Sequence, residues 1–210
     1  MTAANTSALR VALIDYRAGN LTSVRKALTV TGADFFTPES ASGLDGADAV
    51  IVPGVGHFKS TANLDAGWRE KILAFVARGG PLLGICLGLQ FLFDGSEEAP
   101  DLPGLGLLAG QCHFLRADSL KVPHVGWNTL AKQRDSRALA GVADSTYAYF
   151  THSYVAPVTS ACVATTTHGE TFASAVEQDQ VMGVQFHPEK SSETGLAILR
   201  NFLAMAAERR

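Results

Sequence analysis

Cys86 stands between two glycines in Pro81-Leu-Leu-Gly84-Ile-Cys86-Leu-Gly88-Leu-Gln90-Phe-Leu-Phe93, where an apolar run of strand length passes into residues at helical spacing (Leu89, Leu92, Phe93). Gly-x-Cys-x-Gly at a strand-to-helix junction has the form of a nucleophile elbow, a tight turn that holds its central side chain clear of the sheet. The helix after it offers unpaired N–H groups and the positive end of its dipole, which favour the thiolate, the nucleophilic form. A single cysteine in an apolar run is by itself more often a small packed hydrophobe. A second cluster about a hundred residues further on sets Cys86 apart. His187 and Glu189 lie in Val184-Gln-Phe-His187-Pro-Glu189-Lys190, directly after an apolar strand. Residues two apart in extended backbone face the same side, and Pro188 is expected to keep this stretch extended. Glu189 is then placed to orient the His187 ring and leave its other nitrogen for Cys86. A thiol, a base and an orienting acid form the set that nucleophilic catalysis by cysteine requires.

The elements that must bring these residues together alternate in the first half of the chain. Leu9–Asp15 reads as a strand covered on both faces, followed by the loop Asp15-Tyr-Arg-Ala-Gly19-Asn20. Asn20 can cap a helix carrying Leu21, Val24 and Leu28 and stopped near Gly32. A weaker strand over Asp34–Thr37 precedes the strand Ala47–Pro53, which runs into Gly54-Val-Gly56; a helix over about Ser60–Ala77 ends at Gly79-Gly80, before the elbow. Strands alternating with helices predict a parallel sheet with helices on both faces, whose ligands sit beyond the carboxyl ends of the strands. From Gly104 to about Gln185 the segments are short and rich in β-formers: Leu107–Ala109, Gln111–Leu115, Tyr147–Val155, Ala161–Thr167, Thr171–Glu177 and Val181–Phe186. One brief helical candidate, Asp135–Ala140, interrupts them, and a final helix over about Ser191–Ala207 turns Leu196, Leu199, Phe202 and Leu203 to the core. The expected fold is α/β: an open, mostly parallel central sheet flanked by helices, with antiparallel strands in the C-terminal half. Residues 9–208 are expected to form one domain, and Met1–Ala8, small and polar, a frayed tail and not a signal peptide.

At 210 residues the chain can bury a sizeable core, and 47% apolar with 18% charged residues is the ordinary balance of a well-packed globular protein. A net charge of −3 without a dense basic patch argues against a nucleic-acid surface, and Gly, Pro or charge breaks every apolar run before it reaches membrane-spanning length. Three cysteines, Cys86, Cys112 and Cys162, are far apart and lack Cys-x-x-Cys spacing. Neither a disulfide framework nor a zinc site is indicated, and a reducing, cytoplasmic setting is expected.

Gly84-Ile-Cys86-Leu-Gly-Leu-Gln90 together with Gln185-Phe-His187-Pro-Glu189-Lys190 resembles the class I (triad) glutamine amidotransferases, whose fold is an open α/β sheet. Pro53-Gly-Val-Gly-His-Phe58, Ser96-Glu-Glu98, Pro123-His-Val-Gly-Trp-Asn128, Tyr149-Phe-Thr-His-Ser-Tyr154 and His187-Pro-Glu-Lys-Ser191 narrow the likeness to the glutaminase subunits of imidazole glycerol phosphate synthases, of histidine biosynthesis, over about Asp15–Phe202. The resemblance implies that Cys86 attacks the side-chain amide of glutamine, His187 carries the proton to the leaving ammonia, Glu189 orients His187, and water cleaves the glutamyl thioester. It implies an oxyanion hole from the backbone N–H of Leu87 and the Gly54–Val55 peptide, whose flanking glycines would let it change orientation. Gln90, Glu98, Ser153 and Tyr154 would hold the α-amino acid end of glutamine. Ammonia would pass to a separate (β/α)₈-barrel cyclase subunit in a heterodimer, which forms imidazole glycerol phosphate and an aminoimidazole carboxamide ribotide, with Trp127, Tyr149, Lys190 and Asn20 at the contact. No cofactor or metal is implied.

Each of these residues has a plainer reading: a tight turn for Gly54-Val-Gly56, a helix-surface amide for Gln90, a solvated acid for Glu98, core aromatics for Trp127 and Tyr149, a surface charge for Lys190. The chain also departs from the pattern, with Arg17 where relatives commonly carry glycine in the first loop and Leu89 and Val125 where methionine is usual. Two other functions compete. One is a triad amidotransferase serving anthranilate, pyridoxal phosphate or guanylate synthesis; the other is a binding module with a degenerate site, against which the intact Cys86, His187 and Glu189 stand.

Overall fold

The computed structural model describes residues 9–19, 21–117 and 119–209. The expectations for residues 1–8 and for Asn20 lie outside the described residues. In chain order the elements are β1 (Arg10–Leu13), α1 (Leu21–Thr31), β2 (Asp34–Phe36), β3 (Ala49–Val52), α2 (Ala66–Ala77), β4 (Leu82–Ile85), α3 (Leu87–Leu92), β5 (Gly95–Ser96), β6 (Gln111–Phe114), β7 (His124–Lys132), β8 (Thr146–His152), β9 (Tyr154–Val155), β10 (Cys162–His168), β11 (Glu170–Gln178), β12 (Val181–Val184) and α4 (Ser192–Ala207).

A nine-stranded sheet runs in the order β2-β1-β3-β4-β12-β11-β10-β7-β8. Strands from β2 to β12 in that order are parallel, and from β12 through β11, β10 and β7 to β8 each pair is antiparallel. A small second sheet joins β5, β6 and β9. Alternation along β1 shows how the two faces are filled: Val11 and Leu13 point into a core shared with Val24 and Leu28 of α1 and Ile198, Leu199 and Phe202 of α4. Ala12 and Ile14 point the other way, against Ile72 and Phe75 of α2 and Leu89 and Leu92 of α3. Each fully buried large apolar side chain stabilises the fold by about 1.5–3 kcal/mol, so a run such as Ala49–Val52, buried throughout, holds the sheet from both sides. Val184, at the end of β12, pairs with Ile85, at the end of β4, in parallel register. That single pairing brings Cys86 and His187 to the same edge of the sheet.

Several sequence expectations are corrected. The helix expected over Ser60–Ala77 is two pieces: a 3₁₀ turn over Phe58–Asn63, then α2, which starts at Ala66 because the Asp65 side chain accepts from the Trp68 N–H at 3.1 Å. Leu107–Ala109 is not a strand; the N–H groups of Leu107 and Leu108 both bond to the Leu92 carbonyl at the end of α3. Asp135–Ala140 is a turn and not a helix, fastened to Glu177 through the Arg137 side chain and the Ala138 N–H. Tyr147–Val155 divides into β8 and β9, which belong to different sheets. The stretch holding Pro123-His-Val-Gly-Trp-Asn128, read only as a motif, carries β7, whose apolar Val125 and Trp127 face outward.

Candidate active site

Cys86 sits in the single step between β4 and α3, at φ 54° and ψ −104°. The strained backbone is therefore on the cysteine itself and not on its flanking glycines, a departure from the sequence reading. Gly84 and Gly88 supply room instead. A Cβ on Gly84 would come 2.6 Å from the Gly88 carbonyl oxygen, and one on Gly88 would run into the backbone carbonyl of Val52 in β3. The turn is pinned by the Cys86 N–H donating to the Val184 carbonyl at 2.7 Å and by the Gln90 N–H donating to the Cys86 carbonyl at 3.1 Å.

His187 follows β12 and faces this turn. Its Nδ1 lies 2.8 Å from Oε1 of Glu189, and the two side chains are only 2% and 3% exposed. The route differs from the expected extended backbone. Pro188–Lys190 is a 3₁₀ turn with His187 as its N-cap and proline in the first position, so the carboxylate folds back under the ring. Nε2 of His187 is buried without a well-aligned hydrogen bond, while Cys86 is the ionisable group that acts most strongly on the ring. The two side chains thus face each other at interaction range, short of a closed bond in this conformation. Burial is the largest influence on His187 and disfavours its charge; Cys86, then Glu189, outweigh it and raise its pKa from 6.5 to about 10. The ring is held in its protonated, imidazolium form. Gln185 adds an amide donor 3.7 Å from Sγ.

A cavity of about 260 Å³ opens on Cys86 and Leu87 and is lined by Gln90, Glu98, Ser153 and Tyr154, all four expected glutamine contacts, with Gly56, Pro123, Thr151 and His152. Gln90 is held by its Nε2 donating to the Tyr154 carbonyl at 3.0 Å. One oxygen of Glu98 accepts from the Phe58 N–H at 2.6 Å, so the carboxylate is anchored and not a freely solvated acid. The oxyanion donors are arranged differently from the expectation. The Leu87 N–H donates to the Gly54 carbonyl at 3.3 Å. Because a trans peptide points its C=O and N–H in opposite directions, the Val55 N–H is turned away from Leu87. The two donors do not converge in this conformation.

Other residues gain a place that the sequence did not signal. Ser191, buried, accepts from the Tyr149 N–H at 2.9 Å and donates to the His187 carbonyl at 2.6 Å, while the His187 N–H donates to the Tyr149 carbonyl at 2.8 Å. The His187 turn is thereby tied to β8. His152 Nδ1 donates to the Tyr154 carbonyl at 3.1 Å, which leaves its Nε2 to accept from His124 Nδ1 at 3.1 Å; His124 Nε2 accepts from Asn128 at 3.3 Å. Burial first, and the neighbouring histidines next, lower His152 to about 3 and His124 to about 4, so this chain is neutral and its tautomers are fixed. Arg17 adopts φ 63°, a left-handed conformation natural to glycine, with its N–H on Asp15 Oδ1 at 2.9 Å.

Trp127, Tyr149 and Lys190 form one cluster. The two aromatic rings meet edge to face at 6.0 Å, Lys190 Nζ lies 5.5 Å over the Tyr149 ring, and Trp127 is half exposed. The plainer reading of Trp127 as a core aromatic is excluded. Among the described residues no cluster of His, Cys, Asp and Glu could hold a metal ion, no helix is long and apolar enough to cross a membrane, and the three cysteines are free and buried.

Residues 13–206 match the family described as glutamine amidotransferase class-I. The chain is 49% identical over 200 residues to imidazole glycerol phosphate synthase subunit HisH of Xylella fastidiosa (strain Temecula1), covering 94% of this chain and 98% of the relative. It is 45% identical over 201 residues to the protein of the same name of Deinococcus radiodurans, covering 93% and 94%. In fold it is similar to a crystal structure of glutamine amidotransferase, with TM-score 0.74 at 21% identity over 94% of this chain and 98% of the other. A structure of PurLQS from Thermotoga maritima gives TM-score 0.71 at 18% identity, covering 94% of this chain and 99% of the matched one.

Proposed function

Because the chain belongs to the class I glutamine amidotransferase family, we propose that it is the glutaminase subunit of an imidazole glycerol phosphate synthase, releasing ammonia from glutamine for a separate cyclase subunit in histidine biosynthesis. The observation that carries this reading is Cys86, backed by the His187–Glu189 pair, opening on a cavity lined by Gln90, Glu98, Ser153 and Tyr154, in a chain nearly half identical over its length to subunits of that name.

In the mechanism, Cys86 thiolate adds to the amide carbon of glutamine, forming a C–S bond and an oxyanion. His187, protonated, gives its proton to the departing nitrogen, and ammonia leaves as the glutamyl thioester forms. Water, deprotonated by the now neutral His187, adds to the thioester; glutamate departs and Cys86 is regenerated. Glu189 keeps the proton-bearing Nδ1 of His187 in place so that Nε2 serves sulfur and substrate. The α-ammonium of glutamine pairs with Glu98, and its carboxylate meets Gln90 and the backbone of Ser153 and Tyr154. Each oxyanion donor contributes about 3–4 kcal/mol to such a reaction. With the Leu87 N–H engaged by Gly54, catalysis waits on rotation of the Gly54–Val55 peptide, and the chain alone should be a slow glutaminase. The Trp127–Tyr149–Lys190 cluster, joined to His187 through Tyr149, suits the contact with a (β/α)₈-barrel cyclase in a heterodimer. One domain over residues 9–208 and a cytoplasmic setting complete the reading; the free cysteines support the latter.

The test is ammonia release from glutamine by the purified chain, alone and with cyclase and its ribotide. Strong stimulation by the partner, abolished by Cys86→Ala and by His187→Ala, is expected. Glutamine-dependent turnover that survives either substitution would overturn the triad.

A further inference from the structure

Tyr16 lies in the loop between β1 and α1, buried at 3% exposure, and its hydroxyl has no hydrogen-bond partner. A buried phenol ordinarily finds one. The hydroxyl is pressed against Gly54: a Cβ on that glycine would collide with it. The same loop touches the peptide again through Gly19, where a Cβ would come 3.3 Å from the Gly54 Cα and 3.4 Å from the Val55 nitrogen. Asn63 holds the Tyr16 backbone by donating to its carbonyl at 3.0 Å. The Gly54 carbonyl is spent on the Leu87 N–H.

We propose that Tyr16 is a positioning residue for the oxyanion peptide: when the Gly54–Val55 peptide rotates to turn the Val55 N–H toward Cys86, the displaced Gly54 carbonyl takes the Tyr16 hydroxyl as its new donor. The inference rests on the glutaminase reading and adds a residue to it. The exchange conserves hydrogen bonds. Gly54 trades one donor for another, the Leu87 N–H is freed for the substrate oxyanion, and the orphaned phenol gains its partner. Burial, and after it the charge of Cys86, raise the Tyr16 pKa, so the hydroxyl keeps the proton it would donate.

Tyr16→Phe deletes the hydroxyl and keeps the ring. In the complex with cyclase and its ribotide, kcat for glutamine should fall about tenfold, the worth of one hydrogen bond made only in the reactive conformation, with KM within about twofold of wild type. Alkylation of Cys86 by iodoacetamide, a displacement at a saturated carbon that forms no oxyanion, should keep its rate within about twofold. The isolated variant should melt no lower than wild type, because the atom removed is unpartnered at rest. A merely structural role would instead lower the melting temperature and slow alkylation together with turnover. Either that pattern or an unchanged kcat overturns the inference while leaving the glutaminase reading intact. A wild-type complex that releases no ammonia takes down both.

Discussion

Replacing Glu189 by glutamine keeps the shape of the turn and removes one charge, which makes Glu189→Gln the sharpest probe of the proposed triad. Two unit charges 2.8 Å apart attract by about 6 kcal/mol at an effective dielectric near 20. A neutral amide retains a hydrogen bond of roughly half the strength, and relief of the buried carboxylate's desolvation offsets part of the remainder. About 3 kcal/mol is left, a fall in kcat of roughly a hundredfold with little change in KM. Stability at neutral pH should fall as well, because the charged His187 ring loses its buried counter-charge. The pH dependence supplies a second reading. His187 has its pKa raised to about 10, so its proton stabilises the fold in full below about pH 6.5, its unfolded value. That contribution is lost as pH climbs from there through about 10. Two of the upward influences on the ring come from Glu189. In Glu189→Gln the alkaline limb of kcat/KM should therefore move to lower pH. Steady-state ammonia release across pH, with the partner present, measures both. A variant within threefold of wild type, or an alkaline limb that stays in place, would refute the assigned role of Glu189.

Two further substitutions test how the site is held. Ser191→Ala strips the Tyr149 N–H and the His187 carbonyl of a buried partner, a loss of about 2–4 kcal/mol that should lower the melting temperature by roughly 5–15 °C. A melt within about 2 °C of wild type would show that this bridge does not hold the histidine turn. Gly88→Ala should destabilise by about 2 kcal/mol or more in urea unfolding, because the new Cβ meets the Val52 backbone carbonyl. Helix propensity alone calls for a gain of about 1 kcal/mol, so the sign of the change decides between the two effects.

What the residues announced, and what they hid, divides along physical lines. The alternation of strands and helices up to Cys86 and the elbow were legible because each is local, apolar run and glycine spacing acting within a few residues, whereas the stretch after His187, expected extended, is a 3₁₀ turn. β7 was not legible, since its pattern is inverted, with His124 buried and Val125 and Trp127 outside. Strand periodicity was present, but the usual assignment of faces concealed it. Ser191, His152 and Tyr16 were equally silent. Their partners, Tyr149, His124 and Gly54, lie tens of residues away and meet them only through the sheet order. The glycines flanking Cys86 are demanded by packing against the Val52 and Gly88 carbonyls and not by freedom of φ.

The arrangement of the nucleophile and its oxyanion donors bears on control. In the proposed mechanism the covalent machinery needs no partner for its assembly, because the pairing of β4 with β12 fixes Cys86 and His187 at one sheet edge. The donor pair is not assembled, because the Gly54 carbonyl occupies the Leu87 N–H. An enzyme that must not release ammonia without an acceptor needs its slow element to be one that a partner can reach. A single peptide between glycines meets that need: its rotation exchanges one hydrogen bond for another, while moving Cys86 or His187 would mean unpairing strands from a buried core. The loop that touches this peptide through Gly19 and Tyr16 leads directly into α1, and the exposed aromatic cluster on β7 and β8 reaches the histidine turn through Tyr149. A partner docking over both would act on the part of the site that is out of place and leave the triad as folding made it.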